Sequence, residues 1–259
     1  MGDMIYRPLI EDMTWSYSRI SSFHDCPYRW YLRYICKVEE TPRFFSSYGS
    51  FVHRLLEQYY KGEASKDDIY IKFLLSFSSE VQGPRPQEST VQKYISDAAD
   101  YLRNLEPIPI TPLETEKGLA FNIGGIPFIG YIDFLGKTED GLVIVDHKSR
   151  DLKPRSKRKQ PTAKDKELDE ALRQLYLYAE AVRQEYGVFP SRLCFNCFRV
   201  DRFISEPFNE ETFKETVKWA EDTIHEIEDT NEFPPNLDYF GCHYICGVSD
   251  ECCYKQLGW

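Results

Sequence analysis

The sequence predicts an α/β fold, a central mixed β-sheet flanked by helices with an N-terminal helical arm. Three observations carry this. Residues 129–149 hold two β-prone runs, Ile129, Tyr131 and Phe134 in the first and Leu142, Ile144 and Val145 in the second, joined by the KTEDG turn over Lys137 to Gly141. Residues 168–186 repeat Leu172, Leu175, Tyr176, Ala179 and Val182 at helical spacing. Two more strand-like runs follow that helix, near 191–200 and 202–207, with a tight turn at Val200–Arg202. A chain of 259 residues, 42% hydrophobic and 29% charged, can bury one good core with elaborations. We read it as one domain, 1–259: a helical arm over 16–110, a core over 111–230 and a cysteine-rich tail over 231–259.

From the N-terminus, residues 1–15 read as an irregular lead without a charged-then-apolar export signal, so a cytoplasmic protein is expected. Ser18 is a candidate cap for the helix that follows. Pro27 should break that helix, ending one segment near Asp25 and starting another, with Cys26 at the junction. Gly49 to Tyr60 carries Val52, Leu55, Leu56 and Tyr59 at helical spacing, with His53 beside the stripe. Residues 61–110 read as helical filler: an apolar segment at 69–77, a proline-containing loop at 83–87 and a helix from about Thr90 to Leu105.

Strands near 113–122, 126–136 and 141–148 come next, and Glu114 and Glu116 should face the same way on the first. Residues 149–167 are rich in Lys, Arg, Pro and Ser without apolar period and read as a mobile loop. On the helix after it, Gln174 and Tyr178 are i and i+4 and can reach one object. Cys194 and Cys197, three apart on a strand, should face opposite ways as packing residues. A last long helix covers 210–230.

Composition narrows the partners. The net charge of −10 counts against a nucleic-acid partner when taken alone. Net charge does not fix the local field, and Lys148 to Lys166 holds nine Lys/Arg against Asp151 and Asp165. Within it Arg150, Lys153, Arg155, Lys157, Arg158 and Lys159 are candidate phosphate contacts; a solvated charged face is the alternative. No apolar run is long enough to span a membrane. Eight cysteines without an export signal favour metal or cluster ligation over disulfides.

The chemistry concentrates on the hairpin. Asp146 and Lys148 share a strand face, and Asp133 lies one strand upstream. Two carboxylates and an amine against apolar strands are costly to bury unless they pair or hold a cation. A hard divalent ion takes one or two carboxylates plus waters and a phosphate. A surface ion pair is the plainer reading of an isolated D-x-K.

The set Asp133, Asp146-x-Lys148, with a histidine upstream and Gln174-x-x-x-Tyr178 downstream, resembles the PD-(D/E)xK nuclease superfamily. It looks most like the branch of RecB-type nuclease domains and CRISPR-associated iron–sulfur exonucleases, from Ser18 to Cys252. Ser18 and Cys26-Pro27 fit the way that branch opens, and Gly49-x-x-x-His53 fits its metal-binding helix. The resemblance implies a restriction-endonuclease-like core and a metal-dependent DNA exonuclease acting on single-stranded ends, in recombination, repair or CRISPR adaptation. It implies Mg²⁺ or Mn²⁺ held by His53, Asp133, Asp146 and the backbone carbonyl of His147, with Lys148, Gln174 and Tyr178 completing the catalytic set. A glutamate is also common on the first strand, and Glu116 is preferred to Glu114.

The tail holds Cys242, Cys246, Cys252 and Cys253. Three closely spaced thiolates with Cys26 make the four ligands that a 4Fe–4S cluster needs; Cys₄ also suits zinc, and plain unligated thiols are the third reading. The resembling iron–sulfur exonucleases tie one N-terminal and three C-terminal cysteines together. The spacing here, C-x3-C-x5-C, is one residue longer in its first gap, and the family spacing alone favours Cys252 over Cys253. The expected partners are DNA and a protein of a recombination, repair or CRISPR adaptation complex, with no membrane. A catalytically silent DNA-binding or complex-assembly module of the same fold is the rival function.

Overall fold

The structure, a computed structural model, describes residues 5–258. Five strands form one mixed sheet in the order β1 (Thr111–Ile123), β2 (Ile126–Thr138), β3 (Gly141–His147), β4 (Arg192–Cys197) and β5 (Arg202–Pro207). Neighbours run antiparallel except β3 and β4, which are parallel and register Asp146 with Phe195 and His147 with Asn196. The connection between them is helix α7 (Ala163–Tyr186), as a parallel pair requires. Gly124 and Gly125, both with positive φ, close the β1–β2 hairpin with the two-residue turn that matches strand twist.

Helices α1 (Arg7–Ile10), α2 (Tyr17–Asp25) and α3 (Pro27–Tyr34) open the chain, and α8 (Glu210–Glu228) packs with α7. Leu142 and Ile144 of β3 join Leu172, Leu175 and Val182 of α7 in the main core. Val143 and Val145 pack on the other face of the sheet with Phe134 and Cys194. Helices α4 (Phe44–Tyr60), α5 (Lys66–Glu80) and α6 (Glu88–Arg103) bury Phe44, Phe51, Phe73 and Leu102 in a second core. Each such side chain contributes about 1.5–3 kcal/mol of burial, so the arm has stabilising packing of its own. No described helix is long and apolar enough to cross a membrane.

Several expectations need correcting. The expected lead over 1–15 lies partly outside the described residues. Its described part is anchored, because Trp15 pairs with β2 through Pro127 and Ile129 and is buried with Ile10. Ser16, not Ser18, caps α2: its Oγ accepts the Arg19 N–H at 3.2 Å, while Ser18 sits in the first turn with its hydroxyl 3.1 Å from that of Ser16. The helix at His53 starts earlier, at Phe44. The strand expected over 191–200 stops at Cys197, where Phe198–Val200 makes a 3₁₀ turn.

The basic stretch is also better ordered than its composition suggests. Thr162 and Asp165 form a capping box, so α7 begins inside it. Asp165 also accepts from the Ser156 N–H at 2.6 Å, and these bonds hold its carboxyl far below the usual range. Cys194 and Cys197 lie in cores on opposite faces, as alternation requires.

Candidate functional site

Strands β2 and β3, helix α4 and helix α7 meet at a cleft of about 480 Å³. Asp133, Asp146, His147, Lys148, His53, Gln174 and Tyr178 all line it. Register explains the convergence. β2 and β3 are adjacent, so Asp133 comes to the end of β3. The His147 N–H donates to Asp133 Oδ2 at 2.7 Å. The Lys148 N–H donates to the Asn196 carbonyl at 2.8 Å. In that trans peptide the His147 carbonyl therefore points the other way, back toward β2.

Lys148 Nζ lies 2.7 Å from Asp146 Oδ2 and donates to Gln174 Oε1 at 2.8 Å. Gln174 Nε2 donates to the Tyr178 hydroxyl at 3.2 Å. Gln174 of α7, itself held by Tyr178 one turn on, thus fixes the lysine that follows β3. The ion pair at Asp146 is off the hydrogen-bond direction, so the buried Oδ2 receives no directed hydrogen bond. A metal ion there would share that oxygen with the Lys148 ammonium.

His53 Nδ1 is 3.4 Å from Asp133 Oδ2. Ligand atoms of His53, Glu116 and Asp133 all lie within 4.8 Å of one another. Glu116 reaches this group through a left-handed backbone, φ +52°, within β1. Such a conformation costs a non-glycine residue energy and concentrates at sites where direction matters. Glu114, expected to share its direction, is exposed and pairs with Lys117 at 3.3 Å. Strand alternation does not survive a left-handed residue, which is why the sequence could not separate the two acids.

Asp133 and Asp146 are 8% and 4% exposed. Burial, then the neighbouring Asp146 charge, raises the Asp133 carboxyl well above its usual range. Burial and the Glu57 carboxylate push Glu116 up to about 7. Burial lowers His53 and, further, His147, which favours neutral imidazoles. Burial pushes the Tyr178 hydroxyl up to about 12. Crowded carboxylates that resist ionisation, a neutral imidazole and a buried carboxylate oxygen without a directed hydrogen bond are a donor set that fits a hard divalent cation.

By strand alternation the His147 ring lies on the opposite face of β3 from Asp146, with its centroid 5.8 Å from that of His53. It stacks on Tyr60 with centroids 5.7 Å apart, and its Nδ1 is 2.9 Å from Asn196 Nδ2. Asn196 is not legible as a site residue in the sequence, where its only signal is a polar side chain in an apolar strand.

The basic residues divide. Lys153 pairs with Asp151 at 2.7 Å, and Arg155 with Asp169 at 2.7 Å and Glu206 at 3.2 Å. Arg150, Lys157, Arg158 and Lys159 are exposed and have no ion pair among the described residues.

At the far end, Cys26, Cys242, Cys246 and Cys252 line one cavity of about 400 Å³. Cys26 is the cap of α3, and its Sγ accepts N–H groups of Arg29 and Asn236, each at 3.4 Å. Cys253 is turned out, with its Sγ 3.3 Å from the Tyr28 hydroxyl. The tail is tied to the arm beside these thiols. Buried Arg43 donates to the Cys246 carbonyl and the Ser249 Oγ, both at 2.9 Å, and to Asp250 at 2.8 Å.

Solved structures are similar in fold. The chain aligns over 100% of its length with 93% of a Eubacterium rectale protein named "putative exonuclease", at 13% identity and TM-score 0.54. A protein named SSO0001 aligns with 92% of this chain over 95% of its own at 17% identity and TM-score 0.31. No curated protein sequence matches the chain. The sequence profile of the PD-(D/E)XK nuclease superfamily matches residues 14–253, which include the whole cleft and the four inward cysteines. By that match the chain belongs to the PD-(D/E)XK nuclease superfamily.

Proposed function

We propose that the chain is a metal-dependent DNA phosphodiesterase, an exonuclease acting on single-stranded ends. The observation that supports this is the meeting of Asp133, Asp146, Lys148 and His53 in one cleft, with Asp146 Oδ2 lacking a directed hydrogen bond. Nucleases of this superfamily generally use Mg²⁺ or Mn²⁺. His53, Glu116, Asp133, Asp146 and the His147 carbonyl would hold the ion, and the imidazole inclines the set toward Mn²⁺. Bound there, the ion would supply Lewis acidity toward a phosphate oxygen and an attacking water.

The chain's own groups do the rest. Lys148 neutralises negative charge developing on the phosphate or orients the water. Gln174 fixes Lys148 and Tyr178 fixes Gln174, so the ammonium is placed before substrate arrives. Arg150, Lys157, Arg158 and Lys159 are free to grip phosphates, so binding weakens steeply with salt. Lys153 and Arg155 add less, being already paired.

Cys26, Cys242, Cys246 and Cys252 would hold a 4Fe–4S cluster that fastens the N-terminal arm to the tail. Four thiolates also suit a tetrahedral zinc ion, which is the alternative occupant. The likeness to RecB-type and CRISPR-associated enzymes extends the reading to recombination, repair or CRISPR adaptation beside a protein partner.

The test is nucleotide release from end-labelled single-stranded DNA with Mn²⁺, Mg²⁺ or EDTA, wild type beside Asp146→Ala and Lys148→Ala. Metal-dependent release lost in both variants supports the reading. No release by a folded wild type from any end or strand form leaves the DNA-binding module in its place.

A further inference from the structure

Lys148 and both its chain neighbours are held by the segment that ends β4. Asn196 acts twice. Its carbonyl accepts the Lys148 N–H at 2.8 Å, and its side-chain Nδ2 lies 2.9 Å from Nδ1 of the His147 ring. Three residues on, in the 3₁₀ turn, Arg199 Nε donates to the Ser149 carbonyl at 2.8 Å. Residues 147, 148 and 149 are thus fixed by residues 196 and 199.

Both side chains continue to helix α6. Asn196 Nδ2 also donates to the Tyr101 hydroxyl at 2.7 Å, and Arg199 Nη1 donates to Asp97 Oδ2 at 3.0 Å. Asp97 and Tyr101 are i and i+4, so one face of α6 serves both bridges. Ring contacts fill the space around them: Phe198 lies 6.2 Å from Tyr101, and the Arg199 guanidinium lies 4.5 Å from the Tyr94 centroid. Asn196 and Tyr101 are 5% and 8% exposed. An amide NH₂ carries two N–H groups, and here Tyr101 and His147 take both. Apolar side chains would dock α6 on the sheet without the desolvation that a buried amide and a largely buried guanidinium cost. What the polar bridges add is direction, because a satisfied buried network specifies one arrangement.

We propose that α6 is a brace for the catalytic segment, with Tyr101–Asn196 and Asp97–Arg199 as positioning pairs that fix the peptide of the His147 carbonyl and the backbone of Lys148. The proposal rests on the nuclease reading of the cleft, in which that carbonyl holds metal and that lysine acts on phosphate. None of the four residues lines the cleft, so their effect passes through residues 147–149.

The experiment is calorimetric titration of the whole chain with Mn²⁺, beside amide hydrogen exchange of the metal-free protein. Asn196→Leu should weaken Mn²⁺ binding about tenfold, and Tyr101→Phe, which keeps the ring and removes only the hydroxyl, about threefold. Arg199→Lys should weaken it less than Asn196→Leu, since Ser149 lies beyond Lys148. In Asn196→Leu and Tyr101→Phe the Lys148 N–H should exchange faster than in wild type. Val91→Ala removes buried volume from the same helix and should lower the melting temperature while leaving Mn²⁺ affinity unchanged. Mn²⁺ affinities of Asn196→Leu and Tyr101→Phe no weaker than that of Val91→Ala would overturn the brace. A wild type that binds no Mn²⁺ removes the metal reading instead. The exchange comparison then decides the brace, and wild-type exchange at Lys148 in both variants would overturn it.

Discussion

The His147 backbone N–H donates to Asp133 Oδ2 at 2.7 Å, so the acid of β2 grips the peptide between Asp146 and His147. That bond offsets part of what the site costs. Two buried carboxylates face each other, and neither burial nor like charge favours both ionising. Asp133→Asn keeps an acceptor for the His147 N–H and removes one charge. Without divalent ion this variant should melt about 3 °C higher, corresponding to about 1 kcal/mol in a chain of this size. It should also lose metal-dependent cleavage. An unchanged or lower melting temperature in a folded variant would show that the carboxylates do not repel.

Lys148 should be separable from metal binding. Its Nζ is held between Asp146 and Gln174, whereas the tightest group of potential ligands is His53, Glu116 and Asp133. Lys148→Ala should cut cleavage by about 10³ and Gln174→Ala by about tenfold, since the glutamine acts through the lysine. Calorimetric titration with Mn²⁺ should find binding retained in both. Loss of Mn²⁺ binding in Lys148→Ala would place the lysine in the ligand shell's support instead.

Metal affinity should rise with pH up to about 7. Glu116 ionises about there, raised by burial and the Glu57 carboxylate. A raised carboxyl binds its proton more tightly folded than unfolded, so its contribution to stability is present at low pH and fades as pH climbs toward 7. A cation must displace that proton, so the Mn²⁺-induced rise in melting temperature should be larger at about pH 8 than at about pH 6. Glu116→Gln should flatten the difference. The same pH dependence in Glu116→Gln would assign the proton to Asp133 alone.

Gly130 should not tolerate a side chain. A Cβ there would overlap the Tyr178 ring, which leans on the bare backbone of β2. Gly130→Ala should therefore displace Tyr178, release Gln174 and slow cleavage at least as much as Tyr178→Phe, about tenfold or more. Wild-type cleavage rates in Gly130→Ala would mean that the Tyr178–Gln174–Lys148 chain is not needed.

Much of this site was legible because it follows from local periodicity. Asp146 and Lys148 share a face by strand alternation, and Gln174 and Tyr178 share one by helical spacing. Glu116 was only half legible, because its direction depends on a left-handed residue that no apolar pattern announces. Contacts such as that of Arg173 with Trp219, 46 positions on, follow no local period at all. The basic stretch misled in the opposite direction, since Asp165 orders it from within while Asp169 and Glu206 neutralise Arg155 from other elements.

The two adjacent tail cysteines should behave differently. Cys252 is buried in the cavity with Cys26, Cys242 and Cys246, while Cys253 faces Tyr28 on the outside. Burial also raises the Cys242 and Cys246 thiols, so without a bound ion these ligands stay protonated. Anaerobic purification should give a brown chain with about four irons. Cys252→Ser should abolish the colour, and Cys253→Ser should keep it. Because Arg43 binds the Cys246 carbonyl, Ser249 and Asp250, loss of the cluster should also loosen the start of α4, the helix that carries His53. The Cys252→Ser protein should accordingly bind Mn²⁺ more weakly than Cys253→Ser. A colourless wild type holding one zinc per chain would replace the cluster with a mononuclear site, and equal loss of colour in both serine variants would remove the distinction between the cysteines.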